Sequence, residues 1–318
     1  MKKLGLALGS GSARGWAHIG VIQCLQEAGI PIDIVCGTSI GALVGGALAG
    51  NFMDGLEKMV RSLTWSDIIG FMGLLFPRSG FIEGDKITNH FRKNFSDASI
   101  EELAIPFAAM ATDIMAEREI WLQEGSLMDA VRASISMPGI FTPCKYKDYV
   151  LVDGGLVNPV PVSLCRAMGA DVVIAVNLNS DLIGLPRYIN RGKQKNKKSK
   201  SGKKEPGKFT SFLNKNFLPA GKRLQQKVLE EDHSIFNVIA ASVNIMQDRM
   251  TKQRLAGDPP DMLISPLLAE IGLLEFNRAA EVIAEGHRAM AFMIPLLTAI
   301  MEGTGEKNLI LANKSKKT

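Results

Sequence analysis

The sequence predicts an α/β fold in which a central, mostly parallel sheet is layered between helices. Within the first fifty residues, two short apolar runs, 3–8 and 32–36, each lead through a small-residue loop into a helical pattern. Repeated strand–loop–helix units are the signature of parallel strands joined by crossover helices. Further strand-like runs recur at 107–112, 119–123, 149–152, 172–177 and 262–265, so the sheet is expected to be mixed. Of the 318 residues, 46% are hydrophobic and 22% charged, which provides a sizeable core and excludes wholesale disorder.

Taken in order, run 3–8 stops at the loop Gly9-Ser10-Gly11-Ser12. A helix is expected from near Ala13, with Trp16, Ile19, Ile22 and Leu25 on its apolar face and Gly29 as its stop. Run 32–36 enters Gly37-Thr38-Ser39-Ile40-Gly41, and residues 40–50 read as a helix of small side chains. Helical patterns at about 234–255 and 275–301 flank the last strand. Residues 187–208 hold ten Lys and Arg against Glu205, a local charge of +9 in a chain of net +5, so the remainder carries −4. The expected organisation is a core at 1–186, a basic, mobile insertion at 187–230, a stretch completing the core at 231–302, and a polar tail at 303–318.

Several function classes drop out. The longest apolar run, 290–301, falls short of the roughly 20 residues a membrane helix needs, and Pro295 and Thr298 interrupt it. Lys2 and Lys3 precede too few apolar residues for a signal peptide, so a cytoplasmic location is expected. Cys24, Cys36, Cys144 and Cys165 lie far apart, as do His18, His90, His233 and His287, so neither a disulfide framework nor a metal site is indicated.

The strongest local signal is the GxSxG pattern at Gly37 to Gly41, which sits after a strand and before a helix as a nucleophile elbow requires. Ser39 is the nucleophile candidate, against the plainer reading of a helix-capping serine. A base is needed. His287, the late histidine a Ser–Asp–His order would use, lies inside a helical pattern, which favours a surface or interface role. Asp153 ends an apolar strand and is followed by Gly154 and Gly155, so its carboxylate can face a neighbouring strand-end loop; Asp-Gly-Gly is also a common turn. Partial burial would raise its pKa toward that of a useful base. The loop from Gly9 to Gly15 brings backbone N–H groups together at a helix start and reads as an oxyanion hole; it has neither the Walker spacing nor the dinucleotide fingerprint.

The three elements together, SGSARG at 10–15, GTSIG at 37–41 and DGG at 153–155, resemble the patatin-like phospholipase family, in particular its bacterial branch similar to the catalytic domain of neuropathy target esterase. The likeness extends to ARGWAHIGV, ASISMPGIFTP and DMLISP…EFNRAAEVIAEG, and leaves out the basic insertion and the tail. It implies a patatin-like fold, a Ser–Asp dyad of Ser39 and Asp153 without histidine, an oxyanion hole at Gly11 and Ser12, and no cofactor. Where the family usually carries three glycines, this chain has Ser10, Gly11 and Ser12, so a positive φ at either serine would be strained. In that branch His18 looks structural. Arg14 has two readings, substrate contact or loop anchoring, and Ser134 and Ser136 either shape the pocket or cap a loop.

The expected function is a serine acyl hydrolase acting on ester-linked fatty acyl chains of phospholipid or lysophospholipid, with peripheral contact at an anionic inner membrane surface through the basic stretch. The rival is a non-catalytic membrane or regulatory adaptor that keeps the fold. No specific nucleic acid is expected, because aromatic residues are not interleaved with the lysines. Residues 68–76 read either as a lid beside the substrate entrance or as a buried helix.

Overall fold

The computed structural model describes residues 2–64, 66–67, 92, 97–138, 141–180 and 235–302, with side chains from 242 onward in the last stretch. The expected lid at 68–76, the basic insertion at 187–230 and the tail at 303–318 lie outside the described residues. By its internal contacts the chain divides into Met1–Asp181 with Asn244–Thr318, and Leu182–Val243. The described part of the second unit is the start of one helix.

The first unit is built on a mixed sheet. Strands β1 (Leu4–Leu8), β2 (Ile34–Thr38), β3 (Phe107–Asp113), β4 (Arg118–Leu122), β5 (Cys144–Tyr146), β6 (Tyr149–Asp153), β7 (Val172–Val176) and β8 (Met262–Ile264) hydrogen-bond in the succession β5-β6-β3-β2-β1-β7-β8, with β4 added to β3. From β3 through β2, β1 and β7 to β8 the pairing is parallel; β4 and β6 run antiparallel to β3. Every residue of β1, β2 and β7 is buried, as parallel strands covered on both faces must be. Leu4, Leu6 and Leu8 enter the larger core, while Ala7 joins Val173, Ala175 and Cys165 in a smaller one on the other face.

The helices are α1 (Ala17–Glu27), α2 (Ile40–Ala49), α3 (Met53–Ser62), α4 (Leu127–Ser134), α5 (Val162–Ala167), α6 (Ile235–Gly257), α7 (Ala279–Ala291) and α8 (Ile294–Glu302). Trp16, Ile19, Ile22 and Leu25 are buried, as their spacing requires. The first helix starts later than the sequence predicts, because Ser12–Trp16 winds as a tighter 3-10 turn before α1. The single helix expected over 275–301 is three pieces, Phe276–Arg278, α7 and α8. Pro295 has no N–H to give the preceding turn and its ring would strike a carbonyl there, so it is accommodated only at the start of a new helix. Helix α4 has a signal the strand pattern overlooks: Ser126 Oγ accepts from Asp129 N at 3.0 Å, an N-cap three residues from an acid.

Strand registry brings two strand ends together. Ala109 and Met110 pair with β2 on one side and β4 on the other, while Ala111, Thr112 and Asp113 pair with β4 and β6. A strand has two edges, so β2 and β6 share the edge opposite β4 and meet nearly end to end. Thr38 lies opposite Met110 and Asp153 opposite the next residue, Ala111. The residue after Thr38 is Ser39.

Candidate active site

Ser39 stands between β2 and α2 at φ 58 and ψ −122. This is a sparsely populated conformation for a residue with a Cβ, and such strain costs on the order of 1–3 kcal/mol unless the surroundings hold it. They do. Ser39 N donates to Ser134 Oγ at 2.9 Å, and Ser134 Oγ donates to Met110 O at 2.6 Å. The turn also needs small neighbours: a Cβ on Gly37 would stand 2.3 Å from Gly41 O, and one on Gly41 would stand 2.1 Å from Leu8 O. Gly41 thus lets the start of α2 rest on the end of β1, beside the glycine–serine loop. Ser39 makes no side-chain capping bond to α2. Its Oγ donates instead to Asp153 Oδ2 at 2.5 Å.

Asp153 is 1% exposed. Burial raises its carboxyl to about 6, against the opposing pull of hydrogen bonds from Ser39 and the Gly155 amide. Gly155 N donates to Oδ1 at 2.7 Å, so the Asp-Gly-Gly turn and the serine contact occupy different oxygens of one carboxylate. Gly154 is required by closeness, since a Cβ there would come within 2.3 Å of Met110 O. Asp153 N donates to Ser136 O at 2.9 Å, and Thr112 Oγ1 donates to Asp153 O at 2.9 Å. Ser136 Oγ bonds within its own turn to Arg132 O, so of the two serine hydroxyls before Met137 it is that of Ser134 that touches the site, Ser136 contributing only its carbonyl.

The loop from Gly9 to Ser12 has a distinct hydrogen-bond inventory. Gly9 N donates to Val176 O, Ser10 N to Pro159 O, Ala13 N to Leu273 O and Arg14 N to Gly11 O. Among the described residues, the amides of Gly11 and Ser12 donate to no protein acceptor. Gly11 is buried. A buried amide without a protein partner, as at Gly11, is rare in folded proteins, and with the half-buried Ser12 amide beside it the pair can serve an anionic or carbonyl oxygen. The strain expected at the serines falls on one of them: Ser12 has φ 54, with its Oγ donating to Leu273 O at 2.6 Å, whereas Ser10 keeps ordinary backbone and Gly11 is extended at φ 167.

Arg14 is 1% exposed, its Nε donating to Gly11 O at 3.3 Å and its Nη2 to Asn244 Oδ1 at 2.9 Å, contacts of the loop-anchoring kind. His18 Nε2 donates to Gly9 O at 2.8 Å, and burial lowers its pKa to about 4, so it is a neutral prop under the loop. His287 pairs with Glu27 at 2.8 Å across the crossing of α7 and α1, an interface contact. That crossing is close because Gly20 and Gly286 bear no side chain: a Cβ on Gly20 would meet Ile283 O at 1.9 Å. Two residues that no motif signals complete the surroundings. Gln247 Oε1 accepts from Ser10 Oγ at 3.0 Å, and Asn179 Nδ2 donates to Ser10 O at 3.4 Å. Among the described residues, no group of three or more His, Cys, Asp or Glu side chains converges to hold a metal. No helix among them is long and apolar enough to cross a membrane.

Comparison with known proteins gives the family. The patatin-like phospholipase family model matches residues 6–166. An uncharacterised NTE family protein of Mycobacterium tuberculosis is 32% identical over 91% of this chain and 90% of its own length. The human patatin-like phospholipase domain-containing protein 6 is 37% identical over 56% of this chain, which covers 13% of that protein. Among solved structures, VipD from Legionella pneumophila superposes with a TM-score of 0.54 at 14% identity, covering 93% of this chain and 67% of that one, a likeness of fold. The class defined by fold and relatives is that of lipid acyl hydrolases. The chain belongs to the patatin-like phospholipase family.

Proposed function

We propose that the protein hydrolyses fatty acyl esters of phospholipid or lysophospholipid through a Ser39–Asp153 dyad. The observation that carries this reading is the 2.5 Å hydrogen bond from Ser39 Oγ to the buried Asp153. Ser39 Oγ attacks the acyl carbonyl carbon as its proton passes to Asp153, whose carboxyl, raised to about 6, is a better acceptor near neutrality than an ordinary aspartate. The carbonyl oxygen becomes an oxyanion against the Gly11 and Ser12 amides, with the start of α2 adding its positive end. Collapse breaks the ester C–O bond, and the departing alcohol takes the proton from Asp153. Water then attacks the acyl-enzyme, giving its proton to Asp153; the acyl C–O bond to Ser39 breaks as Oγ takes that proton back, and the fatty acid leaves. Gly37, Gly41, Gly154 and Gly155 serve by closeness of packing, and Arg14 as an anchor of the loop.

The test is labelling by a fluorophosphonate. Adduct formation at Ser39, lost in Ser39→Ala and accompanied by release of fatty acid from lysophospholipid vesicles, supports the reading; an unlabelled wild type overturns it.

The basic stretch 187–208, with its +9 charge, supports placing the substrate at an anionic membrane face, since each Lys or Arg near such a surface contributes about 1 kcal/mol. Sedimentation with anionic vesicles is expected to fall as salt rises, and deletion of 191–208 to remove it while sparing a soluble ester. Vesicle binding that survives the deletion overturns the membrane assignment.

A further inference from the structure

Five hydrogen bonds tie residues 10–16 to the chain between 244 and 276. Ser10 Oγ donates to Gln247 Oε1 at 3.0 Å, Ser12 Oγ to Leu273 O at 2.6 Å and Ala13 N to the same carbonyl at 3.1 Å. Arg14 Nη2 donates to Asn244 Oδ1 at 2.9 Å and Trp16 Nε1 to Phe276 O at 3.2 Å. The acceptors all lie beyond residues 6–166, the stretch the family model matches.

Gln247 is where this strap meets both halves of the site. It is 3% exposed on α6, and its Oε1 faces Ser10 Oγ and, at 3.5 Å, Asn179 Nδ2. Its Nε2 lies against Gly155: a Cβ built there would stand 2.4 Å from Nε2 and 3.0 Å from Asp153 Oδ1. One buried amide therefore touches the loop that carries the unpaired N–H groups and the turn whose amide holds Asp153. A buried glutamine costs stability relative to an apolar side chain of its size unless its polar atoms are matched, and here Oε1 is matched by the Ser10 hydroxyl while the amide packs on the Gly155 turn.

We infer that Gln247 is a positioning residue, which through Ser10 keeps the Gly11 and Ser12 amides aimed at the oxygen of the acyl group on Ser39. The inference rests on the acyl hydrolase reading. Removing an oxyanion donor costs about 10²–10³ in kcat, and mis-aiming two that remain present is expected to cost about tenfold.

Gln247→Met keeps the length of the side chain and removes the acceptor. On a short p-nitrophenyl ester it is expected to lower kcat about tenfold with KM changed less than about twofold. Ser10→Ala removes the other end of the same bond, so it should show a similar loss, and the double variant should be little worse than either single. Full kcat in both singles, a change confined to KM, or losses that multiply in the double variant would each overturn the inference. Should Gln247→Met fail to fold, Ser10→Ala decides alone, because it only deletes a hydroxyl: a drop in kcat supports the inference and an unchanged kcat overturns it. Wild type and Ser39→Ala are measured alongside. A wild type no faster than Ser39→Ala refutes the hydrolase reading itself, whereas an active wild type matched by its Ser10 and Gln247 variants refutes only the positioning role.

Discussion

The turn that carries Ser39 and the loop that carries Ser12 are held by different parts of the chain. Each places a serine in left-handed backbone, at φ 58 and φ 54. Ser12 uses its hydroxyl to support its own strained backbone, through Leu273 O. The Ser39 hydroxyl goes to Asp153, so support for its backbone comes from a second serine, Ser134, braced on Met110 of β3. A hydroxyl engaged by Asp153 cannot also relieve local strain, and the difference shows where that support lies. The Ser39–Asp153 pair is a product of the sheet, since β2 and β6 end against adjacent residues of β3. The loop is a product of contacts with residues 159, 176 and 244–276.

If the sheet builds one reactive unit, its two members cannot be lost independently. Ser39→Ala and Asp153→Asn are each expected to reduce turnover of a p-nitrophenyl acyl ester by about 10³-fold or more, with the double variant no worse than the poorer single. Multiplied losses in the double variant would separate the residues into two independent functions and break the comparison at its centre. The next effect belongs to Ser134. Ser134→Ala leaves the strained Ser39 amide without its acceptor, and a reacting atom displaced by about 1 Å costs on the order of 10²-fold, so a loss of ten- to a hundredfold in kcat is expected. The matching removal at the loop, Ser12→Ala, should cost less, because Ala13 N still holds Leu273 O. Equal losses at Ser134 and Ser12 would erase the distinction between a turn braced by the sheet and a loop braced by the strap.

The halves differ just as much in how far the sequence announced them. Ser39, Asp153 and the loop were legible because each joins a strand end to glycines that close packing demands, and Gly41 and Gly154 are indeed pressed against Leu8 O and Met110 O. The strands β1, β2, β3 and β7 were legible as apolar runs because both their faces are covered. Strand β5 was not: Cys144–Tyr146 is three residues with a lysine at its centre, and pairing with β6 decides it rather than any period of its own. Gln247, Asn244 and Asn179 were illegible for another reason. A polar residue inside a helical pattern, as Asn244 and Gln247 are, or in the loop after a strand, as Asn179 is, reads as surface until the fold turns it inward, and their partners lie 68 to 237 positions away in the chain. Ser134 and Ser136 are alike in the sequence, and only the structure separates Ser134 from Ser136, whose hydroxyl serves its own turn.

Titration reads the sheet-built pair alone. With the Asp153 carboxyl at about 6, kcat/KM is expected to rise with pH through about 6, falling nearly tenfold per unit below it, because the protonated acid cannot accept the Ser39 proton. The same shift has a sign in stability. The folded-state value lies above the roughly 3.9 of an unfolded aspartate, so the native state favours the protonated form, and ionisation penalises the fold as pH rises through about 6. Asp153→Asn removes that penalty. Its melting temperature should exceed that of wild type at pH 8, by an amount equivalent to on the order of 1–3 kcal/mol, and the gap should narrow through pH 4 and close by about pH 3, below the unfolded aspartate's own pKa. A variant less stable than wild type at pH 8 would mean that the carboxylate stabilises the fold, contrary to its burial.

The smallest effect is expected at His287, and it sharpens the comparison by lying outside both halves. Its Nε2 meets Glu27 Oε2 at 2.8 Å where α7 crosses α1, and both side chains are well exposed, at 37% and 67%. Pairs of this kind contribute between nothing and about 1 kcal/mol. The packing of that crossing comes from Gly20 and Gly286, whose backbones approach the opposite helix more closely than any side chain permits, so His287→Ala leaves the contact surface intact. Turnover is expected to stay within about twofold of wild type, and the melting temperature to fall by no more than a degree or two. A loss of several orders of magnitude in kcat, with the fold unchanged by circular dichroism, would make a histidine part of the proton path and return the Ser39–Asp153 pair to two-thirds of a triad.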